Sequence, residues 1–140
     1  MTTSSRYAVA LHVLVALAHL GGEGATSERL AGSVNTNPVV VRRILGLLAG
    51  AGIVEGKGGR GGGYRLAREP RRIQLDAVLK AVEPAGIFPV HENLENKACK
   101  VSCQIKEVLG GVFARAENSL HERLRETTVA DLLRRVETSR

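Results

Sequence analysis

Two groups of side chains in this sequence could do chemistry. The first is cationic. Arg42 and Arg43 stand in the leading turns of a helical pattern, and Lys57 and Arg60 stand in the glycine-rich stretch after it. Residues 38 to 72 carry eight Lys or Arg against two Asp or Glu, a local net charge of +6. The whole chain is also +6, so the remainder is neutral. Cations confined to one segment are the footprint of a polyanion site. The second group is the thiol pair Cys99 and Cys103. A redox switch needs an accessible thiolate, and the ammonium groups of Lys97 and Lys100 would attract that anion. An iron-sulfur cluster needs about four ligands, so this chain would have to recruit His12, His91 or a partner subunit. The pair could equally be two inert small side chains at a helix start. An internal disulfide is strained if both residues are helical but feasible if Cys99 lies in a loop. Cys99 with His91 is the sole nucleophile–base candidate. No oxyanion site or acid partner accompanies it, so no enzyme is expected.

The elements that must position the cations are legible in residues 37 to 72. Asn37 suits an N-cap, and Pro38 suits the first helical position, where no backbone N–H is needed. Val41, Ile44, Leu45 and Leu48 fall on one helical face, while Val39, Val40, Arg42 and Arg43 crowd the first turns. Gly50 and Gly52 stop the helix. Ile53-Val54 reads as a short strand with Tyr64-Arg65-Leu66 as its partner, and residues 55 to 63 form a basic, flexible tip. Upstream, Thr26 or Ser27 caps a short helix whose buried side is Leu30, Ala31 and Val34. Two short helices joined by about three residues, the second with a basic start, form a helix-turn-helix. With the hairpin added, this is the layout of a winged helix on double-stranded DNA. The second helix would enter the major groove and the first would brace it. Thr26, Ser27, Asn37, Val39, Val40, Arg42, Arg43, Lys57, Arg60, Tyr64 and Arg65 are the expected contact residues.

Residues 56 to 61 also match G-x-G-x-x-G, with Asp76 about twenty residues on. A dinucleotide site needs a helix directly after those glycines to aim its N-terminus at the pyrophosphate. Tyr64-Arg65-Leu66 follows instead, and Pro70 soon after, so nucleotide binding is not expected. The glycines would rather let the backbone approach a phosphate or a minor groove closely, with Arg60 the inserted side chain.

The rest of the chain reads in order. Ser5 precedes a helix running to about Leu20, apolar all round and therefore expected to be largely buried. His12 and His19 interrupt its apolar run and no charged leader precedes a cleavage site, so neither a signal peptide nor a membrane span is expected. With two cysteines there is no disulfide framework, and a cytoplasmic location is the default. With only 3% aromatic residues, the core must be aliphatic. A helix DAVLKAVE starts near Asp76 and ends at Pro84, and residues 85 to 97 read as a loop. From about Cys99 or Ser102 to Thr127 runs a long helix with Ile105, Val108, Leu109, Val112, Phe113, Ala116, Leu120 and Leu124 at three- and four-residue steps. Some 25 residues would span roughly 37 Å. So small a domain cannot cover that length, so part of the stripe should meet another chain. Thr128 to Asp131 is a capping box opening a last helix. The expected organisation is a mainly α fold with a small β wing. It divides into a winged helix-turn-helix domain (1–84), a sensing or hinge loop (85–101), and a dimerisation helix with a C-terminal helix (102–140). A different class, a protein-interaction module that uses the long helix and binds no DNA, would differ in lacking salt-dependent DNA binding.

The run LAGAGIVEGKGGRGGGYRLAREPRRIQLDAVLKAVE resembles the Rrf-type regulators, the family of IscR, NsrR and CymR. The GGGYRLAR block closing the wing is specific, RYAVALHVLVALA resembles the family's first helix, and TTVADLL its last. The resemblance covers nearly the whole chain. It implies a homodimeric winged-helix transcription factor, usually a repressor, paired through the long helix by residues such as Ile105, Leu109, Val112, Phe113, Ala116, Leu120 and Leu124. The segment FPVHENLENKACKVSCQIKEVL looks like the YwnA-like branch. Cluster-binding members carry three cysteines in this loop and add a ligand from a helix, in some cases a His and a Glu of the first helix. Here only Cys99 and Cys103 are present. His12 stands where such a histidine would, and Ala8 where its acidic companion would. No cofactor is therefore expected, with an iron-sulfur cluster as the alternative. Oxidation at Cys99 is the expected signal.

Overall fold

The computed structural model describes residues 4–59 and 62–139. Arg60, the expected wing-tip contact, lies outside them. Six α-helices and one two-stranded sheet follow in order: α1 (Arg6–Leu20), α2 (Ser27–Val34), α3 (Pro38–Gly50), β1 (Val54–Lys57), β2 (Gly63–Leu66), α4 (Leu75–Val82), α5 (Lys100–Leu124) and α6 (Val129–Thr138).

α1 is the centre of the bundle and packs against α2, α3, α4 and α6. Its Ala10, Val13, Leu14 and Leu17 are buried. α1 is expected to be largely buried, but the remaining residues of the helix are only partly buried or exposed. Ala8, Leu11, His12, Val15 and His19 face an open apolar groove of about 780 Å³, whose other walls are α2 and α6. Ser5 sits at the α1 N-cap but makes no side-chain capping bond. α3 contributes Val41, Ile44, Leu45 and Leu48 to the same core, the face its 3.6-residue period marks. Ile53, Ile73, Val78, Val82 and Val129 complete it. β1 begins one residue later than the apolar pair suggests. Ile53 is a buried turn residue, and the register runs from Val54↔Leu66 to Lys57↔Gly63.

α4 is held from both sides. The Tyr7 hydroxyl donates to the Leu75 carbonyl at 2.7 Å, and an Arg6 N–H donates to the Val82 carbonyl at 2.9 Å. On the far side the amides of Leu75 and Val129 donate to the carbonyls of Thr127 and Ile73. The buried Asp76 carboxylate accepts from Arg125 Nε at 3.3 Å. This junction is where the long helix joins the rest of the fold. After it, the Thr128–Asp131 capping box opens α6, which returns to pack on α1. α6 is thus part of the winged-helix body, although the sequence suggests grouping it with α5.

α5 has 25 residues and none of them is buried. One face is covered by the chain's own loop. Glu117 Oε1 accepts from the amides of Ile87 and Phe88 at 2.6 and 3.0 Å, and Phe113 lies against Phe88 with ring centroids 5.7 Å apart. Leu124 packs on the core. Phe113 and Leu124, expected at a dimer interface, therefore have partners within the chain. Val101, Val108 and Val112 are 66%, 56% and 45% exposed.

Burial, with a smaller contribution from the Asp76 carboxylate, pushes the Tyr7 phenol from its ordinary 10.0 up to about 12. The folded protein then holds this proton more tightly than the unfolded chain. The resulting stability is complete below about pH 10 and is lost as pH rises towards 12. Urea denaturation at stepped alkaline pH should show that decline in the wild type and a flatter curve for Tyr7→Phe.

Candidate nucleic-acid interface

The leading end of α3 is built by two local devices. Asn37 Oδ1 accepts from the Val39 amide at 2.9 Å, and Pro38 occupies the first helical position. The same arrangement starts α2, where Thr26 Oγ1 accepts from the Arg29 amide at 3.2 Å. Asn35 in the left-handed conformation (φ 65°) closes α2 and turns the chain into α3. With its core face buried, α3 presents Val39, Val40, Arg42 and Arg43 outward.

Arg42 is not free at this surface. Its Nη2 meets Glu28 Oε1 at 2.7 Å and its Nε donates to Ser27 Oγ at 3.2 Å. The hydrogen bond from Arg42 is the main reason the Glu28 carboxyl is held below the usual carboxylate range. Ser27 is buried, so its expected place among outward DNA contacts is corrected: its hydroxyl positions Arg42. Arg43 has no ion pair or side-chain hydrogen bond among the described residues.

The wing is attached to the turn before α2 by a backbone pair. The Ala25 amide donates to the Tyr64 carbonyl at 2.9 Å, and the Tyr64 amide donates to the Ala25 carbonyl at 2.7 Å. Glycine makes the approach sterically accessible. Gly24 has φ 71°, and a Cβ there would collide with the Tyr64 carbonyl; a Cβ on Gly63 would collide with the Ala25 carbonyl. Gly24 and Gly63, outside the 56–61 stretch, thus serve an approach of the protein's backbone to itself. Lys57, Tyr64 and Arg65 consequently gather with Thr26 around one cleft of about 220 Å³, joined by Arg29. Arg65 is paired with Glu55 at 2.6 Å across the hairpin. β2 directly follows the glycines, so no helix N-terminus is available for a dinucleotide.

Glu28 and Arg29 are absent from the expected contact list. Arg29 could have been found as the exposed cation one turn from the Thr26 cap. Nothing in the sequence pairs Glu28 with Arg42.

Cys99 and Cys103 are half-buried free thiols at the start of α5. The Cys103 sulfur lies 3.6 Å from the Asn96 carbonyl oxygen, and the Asn96 amide donates to Ser102 Oγ at 2.8 Å. His12 is on α1 and meets Ser33 Oγ at 2.9 Å. Among the described residues no three His, Cys, Asp or Glu side chains converge on a metal-sized site. Two thiols without a third donor do not fit a cluster within one protomer.

These features define a winged-helix DNA-binding regulator carrying a long C-terminal helix. The chain belongs to the Rrf2 family, whose model, described as an iron-dependent transcriptional regulator, matches residues 3–135. It is 37% identical over 131 residues to YwnA of Bacillus subtilis (strain 168), described as a helix-turn-helix-type transcriptional regulator, covering 93% of this chain and 96% of that protein. A solved structure described as a DNA-binding protein is 33% identical, with a TM-score of 0.71 over 92% of this chain and 99% of that one. A regulator structure from Lactobacillus plantarum superimposes with a TM-score of 0.79 at 25% identity, over 96% and 91% of the two chains. No helix among the described residues is long and apolar enough to cross a membrane.

The Glu28–Arg42 pair yields a measurable consequence. Replacing Glu28 with Gln removes the carboxylate that holds Arg42 and would leave its guanidinium available to a phosphate. Non-specific DNA affinity should rise, and the slope of log K against log salt should steepen by about one. Fluorescence anisotropy across a salt series measures it, and an unchanged slope would show that Arg42 stays in place on DNA.

Proposed function

We propose that this regulator acts as a homodimer on a pseudo-palindromic operator, as a repressor, with α3 in the major groove and the wing beside it. The observation that carries this reading is the backbone pair between Ala25 and Tyr64, which holds wing and helix-turn-helix as one surface bearing Arg43, Arg29 and Lys57. The relatives it matches are transcriptional regulators, and no catalytic role is proposed.

Dimerisation would use α5. A helix of this length without a buried residue, carrying Val101, Val108 and Val112 on its open side, is poorly stabilised as a lone protrusion. Ile105, Leu109, Val112, Ala116 and Leu120 would meet their counterparts across a two-fold axis. Val108 and Val112 are the informative positions because they are exposed in the protomer. Changing both to Glu should leave the protomer folded, give monomers in sedimentation, and weaken operator binding at least about tenfold, since two half-sites would no longer be bound together. A dimer that survives the double change would exclude this interface.

Cys99 would couple oxidation to DNA binding without a cluster. The motive is its position: the first residue before α5, between Lys97 and Lys100. Peroxide or hypochlorous acid would convert the thiolate to a sulfenic acid, which Cys103 could condense with to form a disulfide. Either product alters the start of α5, and the recognition helices of a dimer must sit roughly 34 Å apart to reach successive turns of DNA. Titration of operator binding with oxidant should weaken the wild type at least about tenfold and leave Cys99→Ser unaffected. Equal responses of wild type, Cys99→Ser and Cys103→Ser would remove this role. An iron-dependent visible band in anaerobically purified protein would favour a cluster completed by a partner subunit.

A further inference from the structure

The outward end of α3 holds an apolar surface where a DNA reader usually holds polar ones. Val39 and Val40 are 52% and 39% exposed. Among the described residues of the winged-helix segment 4–82, they are the only large apolar side chains left exposed. They are not needed to start the helix, which Asn37 and Pro38 already do. Gly46, two helical turns beyond Val39, adds no side chain to this face and has nothing within 4 Å of where its Cβ would be.

The hydrogen-bonding groups around these valines are engaged elsewhere. A side-chain amide reads adenine by donating and accepting together, but Asn37 Oδ1 is taken by the Val39 amide. The Ser27 hydroxyl is taken by Arg42, and Arg42 is held by Glu28. Within the first two turns of α3 itself, Arg43, on the same stripe as Val39, is the polar side chain left without a partner among the described residues.

From this we infer that Val39 and Val40 read thymine methyl groups in the major groove, with Arg42 a positioning residue that fixes α3 against α2. The C5-methyl of thymine is the one apolar group the major groove offers, and a branched, rigid valine side chain fits against it without losing rotamer freedom. Arg43, Arg29 and Lys57 supply the positive surroundings that bring a polyanion to this face. The inference rests on the proposed operator-binding reading and names the base chemistry that the site would select.

The test uses the full-length protein and an operator obtained by in vitro selection from random duplex DNA. Each thymine of a half-site is replaced in turn by uracil, which lacks the methyl, or by 5-bromouracil, which carries a substituent of similar size. At one or two positions per half-site, uracil should weaken binding about fourfold, the effect of losing one buried methyl-sized group, and 5-bromouracil should restore it. Val39→Ala and Val40→Ala should each erase the thymine–uracil difference at its own position, with unchanged thermal melting. The inference is overturned if thymine and uracil bind alike at every position, or if the discrimination persists in both alanine variants. It is overturned as well if those variants change the oligomeric state instead, since the valines would then be a protein contact. Selective binding with no methyl dependence sinks this inference alone, whereas failure to select any sequence sinks the operator reading with it.

Discussion

The Ala25 and Tyr64 peptide groups exchange two hydrogen bonds, and the geometry of the basic surface shared by the helix-turn-helix and the wing depends on that exchange. A two-stranded hairpin is marginal alone. Here its second strand gains a second neighbour, the segment that leads into α2. The pair carries no side-chain chemistry, so its requirement falls on what must be missing. Gly24 and Gly63 lack the Cβ atoms that would separate the two backbones. A helix and a hairpin that could otherwise tilt independently become one surface, and Thr26, Arg29, Lys57 and Tyr64 are gathered on it.

A second constraint lies at the other end of the body. Asp76 is buried and Arg125 closes the long helix, so their contact ties the end of α5 to the start of α4. Tyr7 and Arg6 hold α4 from the opposite side through its backbone carbonyls. The angle at which α5 leaves the body is therefore set by polar contacts in a partly dry environment, where a misplaced partner is costly. In a dimer built on α5, that angle would govern how far apart two copies of α3 lie.

The loop before α5 belongs mechanically to the helix. Glu117 takes two amides of the loop, Phe113 packs at a tilt against Phe88, and Asn96 and Ser102 join the segment just before Cys99 to the helix's first turn. A chemical change at Cys99 would thus be felt by α5 directly rather than absorbed in slack chain.

The sequence alone determined what depends on neighbours within a turn or on a strict period. Asn37-Pro38 starts α3, Thr128 and Asp131 start α6, the period of Val41, Ile44, Leu45 and Leu48 marks the buried face, and glycines surround the wing. Each is a local rule, because capping bonds and helical periodicity involve residues at most a few positions apart. The tertiary structure alone decided which long-range partners meet. Arg42 faces Glu28 across 14 positions and Arg125 faces Asp76 across 49, so one cation expected to be free is tethered and another closes a junction. It also decided that Phe113 and Leu124 have partners within the chain while Val108 is left exposed, and that Ser27 is buried. Such pairings depend on how whole elements are placed in space, and a helical period says which residues share a face without saying what covers it.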